Sequence, residues 1–227
     1  MFSSQQKRKR SVLLFVVFAV IFCSCLRLFI FDIYLVPSQS MLPTIKIGDY
    51  LVVTRKLIGT YPKRGDIFVF FRPDWKFSED TVKVEYVKRC AGGPGDTVEF
   101  NKPSKAFISS GGRIDKNPEF YKRTFPHDST IQWSPYRFGP LWVPRKNALI
   151  NLDVRNVKLY HEIIEKERAD LRMINNVFFN NGKRVLTYRF KHDYYFMVGD
   201  NFYDSEDSRY WGFVPDSNLI GKVVMVL

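Results

Sequence analysis

Cysteine and histidine are scarce here, three of each in 227 residues. Cys23, Cys25 and Cys90 cannot build a disulfide framework, and no C-x-x-C pair is present. Cys23 and Cys25 fall inside an apolar run and read as small apolar residues. His127, His161 and His192 are scattered, and no cluster of His, Asp or Glu has ligand spacing, so no metal is expected. Acidic residues are missing from the first 31 positions, which carry Lys7, Arg8, Lys9, Arg10 and Arg27. Five of the twelve excess positive charges therefore lie there, leaving seven for the other 196 residues. A basic anchor explains that bias better than a basic groove, so no nucleic-acid partner is expected. No internal repeat is visible, which sets aside a solenoid or propeller.

What the chain does have is apolar and aromatic. Hydrophobic residues at 45% exclude a disordered chain, and aromatics at 16% favour strands. Residues 12–26 carry no charge, and 12–31 carry only Arg27, enough as a helix to cross ~30 Å of hydrocarbon. We draw a basic cytoplasmic tail at 1–10 and a transmembrane anchor at 11–34. The positive-inside rule then puts the rest on the outer face of the membrane, with the lipid bilayer as a partner. A cleaved signal peptide is the competing reading, but no small-x-small cleavage site follows the apolar run.

Alternation and turn residues predict strands at 49–55, 66–72, 81–90 and 97–100, the last two as a hairpin around Gly92-Gly93-Pro94-Gly95-Asp96. Further strands are expected at 185–190, 194–198 and 222–227. The fold class is mainly β, an antiparallel, barrel-like sheet split into 35–100 and 183–227. Residues 101–182 break the pattern and read as a smaller inserted α+β region. Within it, 157–174 is expected as one amphipathic helix capped by Asn156, with Val157, Tyr160, Ile164, Leu171 and Ile174 on one face.

Two features suggest chemistry. In VPSQSMLPT at 36–44, Ser38 and Ser40 stand at i and i+2 between prolines, so an extended segment points both to one side. Serine alone is inert and needs a base. Lys88, in the alternating run VEYVKRC, shares a strand face with Val84 and Tyr86. An unperturbed lysine is neutral about once in ~10³ at pH 7, but burial can lower its pKa by several units. Read alone, Lys88 is a solvated strand lysine and the serine pair is local capping chemistry.

Their order along the chain adds weight. SQSMLPT, GDYLVV, YVKRCAGGPGD and GDNFYDSEDSRYWGFVP, following an apolar segment, resemble the four signature segments of bacterial type I signal peptidases. The likeness runs over 34–100 and 194–221. It implies a membrane-bound serine endopeptidase, single-pass in the bacterial cytoplasmic membrane, with Ser40 as nucleophile and Lys88 as general base. It implies that Ser38 and the Ser40 N–H form the oxyanion hole and that Ser205 orients the lysine amine. Asp207 and Arg209 match a structural ion pair beside the site, and Gly199, Asp200 and Asn201 an adjoining turn.

Tyr34, Val36, Met41, Ile45, Tyr86 and Val87 match the walls of shallow substrate pockets that admit small residues at −1 and −3. The implied substrates are preproteins bearing signal peptides, with no cofactor and a monomeric enzyme. Trp75 and Phe77, between strands, could rest at the membrane interface. The chain departs from the family at Phe202-Tyr203-Asp204, where a basic or polar residue often follows GDN, and at Cys90, where a small apolar residue is usual. Two rivals fit less well: a self-cleaving Ser/Lys repressor, which would carry a DNA-binding helix-turn-helix where this chain has an apolar span, and a membrane-tethered binding module without catalysis, which would not need both Ser40 and Lys88.

Overall fold

Seven strands form one antiparallel sheet in the computed structural model, which describes residues 2–56, 61–73, 83–102 and 124–227. Trp75 and Phe77 lie outside the described residues. The strands are β1 (Phe31–Leu35), β2 (Tyr50–Arg55), β3 (Ile67–Phe71), β4 (Glu85–Gly92), β12 (Tyr194–Val198), β13 (Val214–Pro215) and β14 (Leu219–Val226). Their order across the curled sheet is β1-β2-β14-β3-β4-β12-β13. The mainly β, antiparallel expectation holds for this sheet. A helix, α1 (Phe2–Phe29), precedes it.

The expected helix to residue 31 ends early, for a visible reason. Phe31 already pairs with Thr54, and the carboxylate of Asp32 takes two bonds from the Arg55 guanidinium, both 2.8 Å. Strand pairing and that fork outcompete a further helical turn. Among the described residues no helix is long and apolar enough to cross a membrane. The apolar side chains of α1 between 12 and 22 are largely exposed.

The expected hairpin between 81–90 and 97–100 does not form. The tight turn is there, with Asp96 N–H bonded to Gly93 C=O at 3.0 Å. Its outer groups, however, bond to Val143, and β5 (Thr97–Asn101) pairs with β6 (Arg137–Trp142). The chain therefore leaves the main sheet at this turn. Similarly, β7 (Leu149–Asn151) pairs with β11 (Thr187–Arg189), so strands on both sides of 101–182 find their partners inside it.

The helix expected at 157–174 is shorter and starts earlier: α2 spans Val154–Glu167. Asp153, not Asn156, is its N-cap, and its carboxylate accepts from Asn156 N–H at 2.8 Å. Val157, Tyr160 and Ile164 are buried as the period requires. Leu171 is also buried, but by a chain reversal, while Ile174 is exposed. The reversal feeds a three-stranded meander, β8 (Arg172–Ile174), β9 (Val177–Asn180) and β10 (Lys183–Arg184). Asn175 and Asn176 have positive φ (49° and 59°), as do Asn181 and Gly182 (48° and 77°). Such pairs suit two-residue hairpin turns, and they end the helical pattern.

Two cores meet at β12, whose five residues are all buried. Tyr194, Phe196 and Val198 join the larger cluster, with Val98, Phe138, Ile164 and Phe213. Tyr195 and Met197 join a second, with Phe68, Phe70, Cys90 and Trp211. Strand alternation thus seats the inserted region against the main sheet. Glu167, at the end of α2, accepts bonds from the Tyr188 and Tyr194 hydroxyls and ties the helix to both elements. A third cluster, Val36, Met41, Ile45, Leu51, Val53 and Val69, underlies the segment that carries the serines.

Candidate active site

Register places Lys88 opposite Phe68 and Tyr86 opposite Phe70, so the lysine stem enters the second cluster. Lys88 is 3% exposed. Its Nζ sits 5.3 Å from the centre of the Tyr86 ring. Burial away from water is the main force on this amine and lowers its pKa to about 8. The carboxylates of Asp207 and Glu206 pull the other way, and Arg209 adds to the lowering. At that value about one lysine in ten is neutral at pH 7, roughly three hundredfold more than in water.

Ser40 faces this amine, with Lys88 Nζ and Ser40 Oγ 2.6 Å apart. Residues 36–38 are irregular and 40–44 form a turn, so the serines do not lie on a strand. They still converge: Ser38 Oγ is 3.3 Å from Ser40 Oγ. The turn is held from the opposite loop. Asn201 N–H bonds to Ser40 C=O at 3.0 Å, and Asn201 Nδ2 to Gln39 C=O at 3.1 Å.

Gly199 explains how the two loops come so close. A Cβ there would lie 2.1 Å from Ser205 Oγ and 2.5 Å from Ser40 O. Gly199→Ala is therefore expected to lower kcat/KM at least about tenfold through displacement of Ser40. Overpacking should also cost about 1–3 kcal/mol of stability, readable by urea denaturation. Full activity in that variant would contradict the close-approach argument.

The buried supports follow. Asp200 accepts two bonds from Arg89, at 2.7 and 2.6 Å, while Arg89 also reaches Gly65 C=O. Burial opposes ionisation of Asp200, but Arg89 and the Thr44 hydroxyl outweigh it and hold its carboxyl below the usual range. Asp207 and Arg209 are wholly buried and joined by two bonds of 2.8 Å. Asp207 also accepts Gly199 N–H at 3.0 Å and caps α3 (Ser208–Trp211). Arg209 reaches Pro135 C=O in the inserted region and stacks 3.9 Å from the Phe202 ring.

The expected bond between Ser205 and the lysine amine is not made. Lys88 is bonded to Ser40, and among the described residues Ser205 Oγ is buried with no hydrogen-bond partner. Cys90 is buried, and burial pushes its thiol up to about 12, so it is inert.

A cleft of about 410 Å³ runs between residues 36–41 and 84–88. Val36, Met41, Ile45, Tyr86 and Val87 line it; Tyr34 does not, and packs beside the third cluster instead. Gln39, Val84, Glu85, Asp204 and Glu206 line it as well and were not anticipated. For Gln39 the sole sequence cue was its place between the two serines. For Asp204 and Glu206 it was the acidic DSED run. Arg72 N–H bonds to Val84 C=O and Cys90 N–H to Asp66 C=O, so even-numbered β4 residues turn their backbone towards β3. Glu85 and Val87 turn theirs the other way, where β12 takes up pairing only from Arg89 onward.

Comparison with known proteins bears on this geometry. The family model described as signal peptidase, peptidase S26, matches residues 9–227. A protein named signal peptidase I from Buchnera aphidicola subsp. Baizongia pistaciae is 32% identical, over 88% of this chain and 71% of its own. Another of that name from Aquifex aeolicus is 29% identical over 96% and 83%, and one from Pseudomonas aeruginosa 28% over 88% and 66%. With a match running from within α1 to the last residue, this chain belongs to the signal peptidase family, peptidase S26, and is a serine peptidase.

Proposed function

We propose that this enzyme removes signal peptides from exported preproteins, with Ser40 as nucleophile and Lys88 as general base. The observation that carries the reading is the 2.6 Å contact between Ser40 Oγ and a lysine amine buried among aromatic side chains. Neutral Lys88 takes the Ser40 proton as Oγ bonds to the scissile carbonyl carbon. The carbonyl electrons move to oxygen, where the Ser40 N–H and the Ser38 hydroxyl stabilise the charge. On collapse the C–N bond breaks and Lys88 returns its proton to the leaving amine. Lys88 then takes a proton from water as the water oxygen bonds to the acyl carbon; on collapse the C–Oγ bond breaks and Lys88 returns that proton to Ser40 Oγ. Ser205, behind Ser40 across Gly199, is the hydroxyl that orients the amine when it is not bonded to Ser40.

The substrate lies extended along the edge of β4 that has no strand partner among the described residues, where Glu85 and Val87 offer backbone groups. Walls built from Val36, Met41, Ile45, Tyr86 and Val87 leave room for small side chains at −1 and −3. Residues 35–100 and 183–227 act as the catalytic core, and 101–182 as an insertion. We place residues 1–10 in the cytoplasm, the part of α1 from Ser11 onward in the bacterial cytoplasmic membrane and the monomeric core on its outer side. The exposed apolar residues of α1 support that anchor. So does an outward face next to it, where Ile33, Leu35, Tyr50, Met225 and Leu227 are each more than half exposed and pair side by side.

The pH profile tests the base. Lys88 works as the neutral amine, so kcat/KM should climb about tenfold per pH unit below about 8 and level off above it. A profile flat from pH 6 to 9 would contradict Lys88 as the base.

A further inference from the structure

Gln39 and Asp204 meet across the mouth of the cleft. Gln39 Nε2 donates to Asp204 Oδ2 at 2.6 Å, and both side chains line the cleft beside Ser40 and Lys88. We propose that this bridge is a positioning device for the nucleophile, an inference that rests on Ser40 being that nucleophile. Ser38 and Gln39 are exposed, and Ser40 sits in a turn rather than on a strand, so the sheet itself does not fix the Ser40 hydroxyl.

What holds the turn is the 199–205 loop, through four bonds: Asn201 N–H to Ser40 C=O, Asn201 Nδ2 to Gln39 C=O, the Thr44 hydroxyl to the Asp200 carboxylate, and the Gln39–Asp204 bridge. The first two fix backbone carbonyls on one side of the turn. The Thr44 tie lies at the far end of the turn, whereas the bridge is made by the side chain of the residue between the two serines that converge at 3.3 Å. It therefore restrains rotation of the turn, which would otherwise swing Ser38 and Ser40 away from Lys88. Its acceptor is a carboxylate, which makes it stronger than a bond between neutral groups.

An isosteric exchange of donor and acceptor tests the proposal. Gln39→Glu sets two carboxylates against each other and should lower kcat/KM about tenfold, mainly in kcat and still at the high-pH plateau where Lys88 is neutral, with KM little changed. Asp204→Asn restores an acceptor-donor pair in that background. The double variant Q39E/D204N should return to within about threefold of wild type, a coupling that a mere rim contact would not give. Thermal melts of each variant show that the fold is intact, and Ser40→Ala is assayed in parallel. If Ser40→Ala is inert while Q39E stays within about twofold of wild type, or the double variant is no better than Q39E, the bridge proposal alone fails. If Ser40→Ala still cleaves, the reading beneath it fails too.

Discussion

Lys88→Met is expected to lower kcat/KM by about 10³–10⁴ or more while leaving the fold as stable as wild type or more so. The two effects have one cause. An amine brought from 10.5 to about 8 by burial costs the folded state on the order of 3 kcal/mol at neutral pH, because the charged form is held out of water. The sign follows from proton counting. Between about 8 and 10.5 the unfolded lysine keeps its proton while the folded one gives it up, so this group's penalty is full below pH 8 and fades as pH rises through that window. Methionine fills similar volume without charge and should remove the penalty. A melting temperature equal to or above wild type, with cleavage abolished, would separate chemistry from stability. Cleavage retained in a folded Lys88→Met enzyme would contradict the assigned base.

Arg209→Ala is expected to destabilise the protein by about 3–5 kcal/mol, since it leaves the Asp207 carboxylate buried without its partner. Both side chains are fully buried, and the pair is forked. The loss reaches further than one pair. Arg209 joins the inserted region at Pro135 to the 199–205 loop, and Asp207 holds Gly199 N–H directly behind Ser40. Asp207→Ala should fall in the same range, and the double variant should lose less than the sum of the two singles, because no unpaired charge then remains. Denaturant titration of the four proteins reads this. Additive losses below about 1 kcal/mol would match a surface pair and contradict the buried one.

Much of the site was legible because its chemistry sits in short segments with fixed spacing. Ser38, Ser40 and Lys88 are named by the likeness of those segments to a family, since alone each has a bland reading, while strand alternation correctly gives Tyr86 and Lys88 one face. The burial of Lys88 could not be read from β4, since it depends on Phe68, opposite it in the neighbouring strand, and on the cluster which that strand joins. The same limit hid the orientation of Ser205, whose hydroxyl is bonded to nothing among the described residues while Lys88 is bonded to Ser40. Local patterns failed where tertiary pairing overrode them. The Gly93–Asp96 turn promised a hairpin, but Val143 took its outer groups and β6 took β5. Leu171 kept the helical period by accident, buried by a reversal that two asparagines with positive φ complete. The helix expected to residue 31 yielded to a strand because Asp32 and Arg55 lie 23 positions apart, beyond the reach of a window reading.

The most direct test is to incubate a preprotein carrying Ala at −3 and −1 with the full chain in detergent and map the products by mass spectrometry, for wild type, Ser40→Ala and Lys88→Ala. The expected result is one cut after the −1 alanine by wild type and none by either variant. An inert wild type, or cutting that survives both substitutions, would contradict Ser/Lys catalysis and favour a membrane-tethered binding module in its place.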